Sequence, residues 1–305
     1  MRTGVVQHIH DYMRKDHNSY FLVGDLGYHV VEDVEKEFPE RFINVGVAEQ
    51  NMIGIAAGLA LAGNKVFVYS IIPFVTMRCY EQIRDDLCYH DLDVVLIGAG
   101  AGLSYGILSA THFALEDVAI LRVLPNMVVF SPADETEAVL GMKAITKQKH
   151  PTYVRIGKRT EPTIYEKPYK FKLGKVKVLQ DGQDITIFAS GPIIDEVIQT
   201  VRLLEKKMSI SICLVNIHTI KPLDEKTILL KANGKKIIFT VEEHGKIGGL
   251  GSAVSEVLAE KGLKTKVIRI GTVDEFVKKI GSQPYLRKAL HLDAQGIFMQ
   301  MKKYL

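Results

Sequence analysis

The sequence predicts two doubly wound α/β domains, each built on a mainly parallel sheet. Three observations carry this. Apolar, β-branched runs alternate with helix-like segments along most of the chain, the pattern of parallel strands covered on both faces. The alternation stops once, between Arg159 and Gly174, and then resumes. The length of 305 residues suits two domains of about 100–200 residues each.

In the first half, strands are expected at Phe21–Leu26, Phe42–Val45, Val66–Ile71, Val94–Gly98, Val128–Phe130 and Tyr153–Ile156. Helical patterns lie between them at Ala48–Ala62, Thr76–Leu87 and Asp134–Lys147. The last opens on Pro132-Ala133-Asp134-Glu135, with acidic residues where the helix dipole favours them. The stretch from Arg159 to Gly174 holds two prolines without clear periodicity and reads as a linker. Beyond it, strands are expected at Ile185–Ala189, Ile210–Val215, Ile237–Val241 and Val267–Ile270. Helical patterns there cover Ile194–Leu204, Lys226–Ala232 and Gly249–Ala259 and return towards Leu305. The division is therefore 1–160, a linker over 161–171, and 172–305.

Composition narrows the class. With 47% hydrophobic and 24% charged residues the chain can bury a core, which excludes disordered and collagen-like proteins. The 39 Lys and Arg exceed the 35 Asp and Glu only slightly and form no block, so no nucleic-acid partner is expected. The most apolar run, Val94–Leu103, falls far short of the roughly 20 residues a membrane helix needs. Three cysteines, Cys79, Cys88 and Cys213, are an odd number without CxxC spacing. Together with a start that carries no apolar signal region, they fit free thiols and a cytoplasmic location.

Glu49 stands out chemically. A strand ends at Asn44-Val45, and a helix opens with Glu49 in its first turn, followed by the small residues Gly54, Ala56, Ala57 and Gly58. An acid at a helix start is ordinary. Beside a tightly packed apolar helix, however, its carboxyl would hold a proton more firmly and could share it with a ligand nitrogen. His112 lies in a small-residue connection after a strand, where open α/β sheets bind ligands. Gly98, Gly100 and Gly102 have dinucleotide-like spacing but do not open a helix as GxGxxG. Gly248-Gly249-Leu250-Gly251 resembles an anion nest at a helix start, or simply a tight turn. There is no phosphate loop, no HExxH and no zinc spacing, so no metal site is expected in this chain.

Several segments, in order, resemble the C-terminal two-thirds of the transketolase family of thiamine diphosphate enzymes, which includes deoxyxylulose phosphate synthase. They are Val45-Gly46-Val47-Ala48-Glu49-Gln50, then Thr111-His112 with Leu121-Arg122-Val123-Leu124-Pro125-Asn126, and finally Glu242-Glu243-His244 with Gly248-Gly249-Leu250-Gly251. The resemblance implies a pyrimidine-binding domain followed by the family's C-terminal domain. It implies that Glu49 hydrogen-bonds a ring nitrogen of the aminopyrimidine and so activates the cofactor. It places Phe74 as the aromatic stacked on that ring, Asp25 as a cofactor-site acid, and His112 in the substrate channel. Arg2, Arg155 and Lys158 fall where the family contacts substrate phosphate.

The resemblance departs in two places. Ile107-Leu108-Ser109-Ala110 stands where the family usually carries Asp-Gly, and Gly98–Gly102 where it usually carries a phosphate-contacting histidine. Both changes fall on the acceptor side, which points away from an ordinary aldose phosphate acceptor. Val23-Gly24-Asp25-Leu26-Gly27 is not the family's GDG…N motif, which holds the Mg²⁺ that clamps the diphosphate. The implied enzyme is thus split. A separate diphosphate-binding chain of about 250–300 residues would join this one in an α2β2 heterotetramer, with self-association through the pyrimidine-binding and C-terminal domains. The reaction implied is transfer of a two-carbon ketol unit from a ketose to an aldehyde. The alternatives are the beta subunit of a 2-oxo acid dehydrogenase, marked by a lipoyl-domain partner, and a non-catalytic regulatory module that kept the fold.

Overall fold

The computed structural model describes residues 1–158 and 161–305. The expected end of the first domain at residue 160 and the first residue of the Arg159–Gly174 stretch lie outside the described residues.

The first sheet collects β1 (Ser19–Val23), β2 (Phe42–Asn44), β3 (Lys65–Ile71), β4 (Val94–Ala99), β5 (Val128–Phe130) and β6 (Thr152–Ile156) in the spatial order β5-β6-β4-β3-β1-β2, all parallel. Its helices are α1 (Arg2–Lys15), α2 (Glu32–Glu37), α3 (Glu49–Leu61), α4 (Ile72–Val75), α5 (Tyr80–Gln82), α6 (Asp117–Arg122) and α7 (Glu135–Ile145). Every residue of β4 and β6 is buried, because helices cover both faces. One face packs Leu22, Val68 and Leu96 against Met52, Ile53 and Ala56 of α3. The other packs Phe21, Phe67 and Ile97 with Val5, Ile9 and Met13 of α1 and Ala138 and Met142 of α7.

The second sheet has β7 (Lys177–Gln180), β8 (Ile185–Ser190), β9 (Ile212–Asn216), β11 (Ile237–Gly245) and β12 (Lys266–Thr272) in the order β12-β11-β8-β9-β7. It is parallel except for the edge strand β7. Helices α8 (Ile194–Met208), α9 (Glu225–Ala232), α10 (Leu250–Glu260), α11 (Gln283–Ala289) and α12 (Ala294–Lys302) flank it. The doubly wound fold class is therefore as expected. The sequence pattern missed β7 and β10 (Thr219–Lys221), both too short or too polar to show as apolar runs. β10 leaves the second half of the chain and adds antiparallel to β5, extending the first sheet.

That crossing strand is one of several ties across the seam. Segment 161–171 is docked against α7: Asp134 accepts from the backbone N–H groups of Ile164 and Tyr165 at 2.8 and 2.7 Å. Glu137, wholly buried, accepts from the Tyr169 hydroxyl at 2.5 Å, from the Ala133 N–H at 2.7 Å and from Nδ2 of Asn216, at the end of β9, at 2.8 and 2.9 Å. Asp134 also caps α7, accepting from Glu137 N–H at 2.8 Å, which is the helix start the acidic run suggested.

Candidate active site

Open parallel sheets present ligands at the carboxyl ends of their strands, and the candidate residues of the first domain gather there. Glu49 is the first residue of α3, and its side chain is 1% exposed. Ser70, near the end of β3, donates to its Oε1 at 3.0 Å. Nη1 of Arg78 donates to its Oε2 at 2.5 Å. The carboxyl is thus flanked by a hydroxyl and a guanidinium, and not by apolar groups alone as the small-residue helix suggested. Gly54 and Gly58 do not pack a second backbone either, for a methyl added at either would meet nothing within 4 Å.

On its third side Glu49 meets Gly24. A Cβ there would stand 3.3 Å from Cγ and Oε1 of Glu49, so a side chain at this position would press on the acid. β1 stops at Val23, short of the Leu26 that its apolar pattern implied. Asp25 follows at φ 53°, exposed, and is held by Asn44 through Asn44 Nδ2 to Asp25 Oδ1 at 3.2 Å and Asp25 N–H to Asn44 Oδ1 at 3.1 Å.

Phe74 lies in α4, the short helical turn after β3, partly exposed, with the Arg78 guanidinium carbon 4.4 Å from its ring centroid. Its ring meets that of His112 edge-on at 5.0 Å. His112 stands beside Tyr105 at 5.8 Å, and the Lys158 ammonium lies 4.3 Å over the Tyr105 ring. Burial, and then the charge of Lys158, lower the His112 pKa below its usual 6.5. Its imidazole is therefore neutral and able to accept a proton at neutral pH. Arg2 completes the ring of cations from α1, its charge opposing the burial that raises the pKa of both Tyr69 and Tyr105. Glu49, Phe74, His112 and Lys158 thus share one rim with Asp25 and Arg2. Arg78, Ser70, Asn44 and Tyr105 also belong to it and were not picked out in the sequence. Arg78 left one trace, a cation four positions after the aromatic.

Residues 1–162 match the transketolase pyrimidine binding domain, and residues 174–297 the transketolase C-terminal domain. The chain belongs to the transketolase family. It is 41% identical over 310 residues to a putative transketolase C-terminal section of Methanocaldococcus jannaschii, across 99% of this chain and 96% of that one. It is 35% identical over 263 residues to a subunit of an apulose-4-phosphate transketolase of Actinobacillus succinogenes, covering 86% and 84% of the two. With a 1-deoxy-D-xylulose-5-phosphate synthase of Caldanaerobacter subterraneus the identity is 36% over 86% of this chain, but over only 42% of the synthase. A solved structure described as a split gene transketolase, an inactive beta4 tetramer, superposes at a TM-score of 0.90. Its identity is 33%, over 99% of this chain and 97% of that one.

Within this transketolase-family chain Arg155 and the glycine turn at α10, two suggested anion contacts, are otherwise engaged. Arg155 is 3% exposed and points into the core, where Nε donates to Asp117 Oδ2 at 2.7 Å and Nη2 to the carbonyls of Ala114 and Glu243. It is a buried ion pair and offers no open fork to a phosphate. The glycine turn at α10 is filled by its own chain, since Glu242 accepts from the N–H groups of Leu250 and Gly251 at 2.7 and 2.8 Å. The glycines after β4 serve packing. At Gly100, φ is 99° and the Tyr105 ring stands where a side chain would go. Gly102 leaves room for Glu243, which accepts from Leu103 N–H at 2.7 Å and from Arg287 Nε at 2.6 Å. Two of the three residues of the Glu-Glu-His stretch therefore hold local structure, and Glu243 ties the loop beside His112 to the second sheet.

The expected helix over Thr76–Leu87 is broken. Thr76 Oγ1 returns to the Ile72 carbonyl at 2.7 Å, Met77 to Cys79 form a turn, and α5 runs into π-helical turns over Ile83–Cys88. The turn carries Arg78 to the rim. The three cysteines are free and buried, and burial pushes the Cys79 thiol up to about 12. Among the described residues no group of three or more His, Cys, Asp or Glu is placed to hold a metal ion. Among them, too, no helix is long and apolar enough to cross a membrane.

Proposed function

We propose that this chain is the pyrimidine-side subunit of a split, thiamine diphosphate-dependent transketolase that moves a two-carbon ketol unit from a ketose to an aldehyde. One observation carries the reading: a buried carboxylate, Glu49, and the partly exposed face of Phe74 form a niche beside His112. In the structure the niche holds the Arg78 guanidinium, which donates to the acid and has its carbon 4.4 Å from the ring centroid. An aminopyrimidine is also flat, and its ring nitrogen can accept a proton held by the acid, so the residues fit it. When bound, the cofactor supplies an acidic carbon that attacks the ketone and an electron sink for the carbanion that follows.

The chain's own residues have distinct tasks in this reading. Glu49 shares a proton with the pyrimidine ring nitrogen, at a position fixed by Ser70 and Gly24. Phe74 orients the ring, and Asp25, tied to Asn44, borders it. Neutral His112 accepts or returns a proton at the ketose oxygen. Lys158 and Arg2 face the substrate's anionic end, and an ammonium such as Lys158 acts there as a point charge. Ile107 and Leu108, 60% and 42% exposed in the turn that leads to His112, form an apolar lip on the acceptor side in this reading.

The diphosphate and its Mg²⁺ belong in this reading to a separate chain, in an α2β2 assembly. The relatives described as a C-terminal section and as one subunit of a transketolase support the division. The test is reconstitution. The purified chain, mixed with a separate diphosphate-binding transketolase chain, thiamine diphosphate and Mg²⁺, is expected to transfer ketol units from a panel of ketose phosphates. Turnover by this chain alone, or activity that requires a lipoyl domain, would overturn it.

A further inference from the structure

We infer that Arg78 is a built-in occupant of the aminopyrimidine seat, which must swing out before the cofactor can bind. The inference rests on the function proposed above for Glu49 and Phe74. The guanidinium occupies both groups that reading assigns to the pyrimidine. It donates to Glu49 Oε2 at 2.5 Å, and its carbon lies over the Phe74 ring, 4.4 Å from the centroid. Two flat groups cannot lie on one ring face and also reach one carboxylate oxygen. Ser70 already holds Oε1 and Gly24 closes the other side, which leaves the Arg78 side as the way in.

The charges explain why such a residue is there. A carboxylate with a side chain 1% exposed and no cation or donor would carry a large desolvation cost. Arg78 removes that cost while the seat is free of cofactor. While the guanidinium holds Oε2, that oxygen is not open to the ring nitrogen, so the same contact keeps the site closed. When Arg78 leaves, a proton taken up from solvent lies between Glu49 and the ring nitrogen in place of the guanidinium N–H. Arg78 can leave without unfolding anything. Its side chain is 39% exposed on the turn between α4 and α5, so a change of rotamer carries it into solvent, whereas Glu49 is locked in α3. It is a positioning residue, acting through Glu49.

The experiment measures thiamine diphosphate binding to the reconstituted complex with Mg²⁺, by calorimetry and by stopped-flow fluorescence, for wild type, Arg78→Met, Arg78→Gln and Glu49→Gln. Removing a competing occupant raises the fraction of sites open to the ligand, and Kd should tighten about tenfold in Arg78→Met with a faster association rate. The isolated Arg78→Met chain should unfold at lower urea than wild type, and Glu49→Gln/Arg78→Met should recover most of that loss. Arg78→Gln, which retains a hydrogen-bond donor but no cation, should tighten binding less, and it carries the test should Arg78→Met fail to fold. Binding that is unchanged or weaker in both Arg78 variants would overturn the inference. If wild type does not bind thiamine diphosphate, or if Glu49→Gln leaves Kd unchanged, the failure lies in the proposed function.

Discussion

Two buried glutamates, Glu49 at the sheet rim and Glu137 at the seam between the two sheets, began from the same local instruction and ended in opposite situations. Each sits in the first turn of a helix that follows a strand of the first sheet. Glu49 is closed on two sides and meets a partly exposed cation on the third. Glu137 is enclosed on every side by neutral donors: Tyr169, Asn216 and the Ala133 N–H. Burial without a cation raises the Glu137 pKa to about 7. With Glu49 as the activating acid proposed above, the difference separates a reactive acid from a structural one in this fold. Both are desolvated, but only Glu49 has a partner that can be exchanged for a ligand.

The largest expected effect tests the rim. Glu49→Gln keeps shape and hydrogen-bonding reach but has no proton to share, and should lower turnover of the reconstituted enzyme by roughly 10³-fold. A fall of no more than about tenfold, or about 1.4 kcal/mol, would mean that Glu49 is not the activating acid, and the contrast with Glu137 would lose its meaning.

The seam gives the next effect, on stability. Glu137 ionises near 4.5 when unfolded and near 7 when folded. Between those values the folded chain holds the extra proton, so stability is highest below about pH 4.5 with respect to this group and falls as pH rises through 7. The loss approaches roughly 3 kcal/mol. Urea unfolding from pH 5 to 8 should show that slope, and Glu137→Gln should flatten it. An unchanged slope in Glu137→Gln would assign the pH dependence elsewhere and leave Glu137 as an ordinary seam contact.

How much of this was legible beforehand followed physical lines. The alternation of strand and helix carried the fold class, because parallel strands buried on two faces have no other pattern. Glu49 and His112 drew attention because each sits in a short local setting, a helix start and a small-residue loop, whereas Phe74 came from the family resemblance. Arg155 was expected from the resemblance alone, and nothing local in the sequence shows that it faces Asp117 in the core. For the glycine turn before α10 the structure decides between the two readings left open, since its N–H groups are taken by Glu242 from the preceding strand. Arg78 and the Glu137 network were illegible because their meaning lies in partners 29 and 79 residues away.

A smaller effect sharpens the rim further. His112 is held neutral by burial and by Lys158, so the acid limb of the rate profile should lie below pH 6.5, with activity lost as pH falls through the His112 pKa. His112→Gln should cost roughly 30-fold in kcat/KM, within the range for a lost proton-transfer group, and should remove that limb. A profile unchanged in His112→Gln would confine His112 to shaping the channel.

The smallest effect concerns the loop that carries His112. Ser109, three residues before it, has φ 65° and ψ −162°, a region that glycine occupies freely and other residues only under strain. The strain is held in place: the His112 N–H donates to the Ser109 carbonyl at 3.0 Å, and across the same loop Leu103 is tied to Glu243. Ser109→Gly should relieve the strain and stabilise the chain by about 1 kcal/mol, after allowing for the greater freedom of glycine in the unfolded state. Because the hydrogen bond that sets His112 is a backbone bond, kcat should hold while the urea midpoint rises. Should kcat fall as stability rises, the loop's strain helps to aim the imidazole, and the rim would differ from the seam in stored backbone energy as well as in charge.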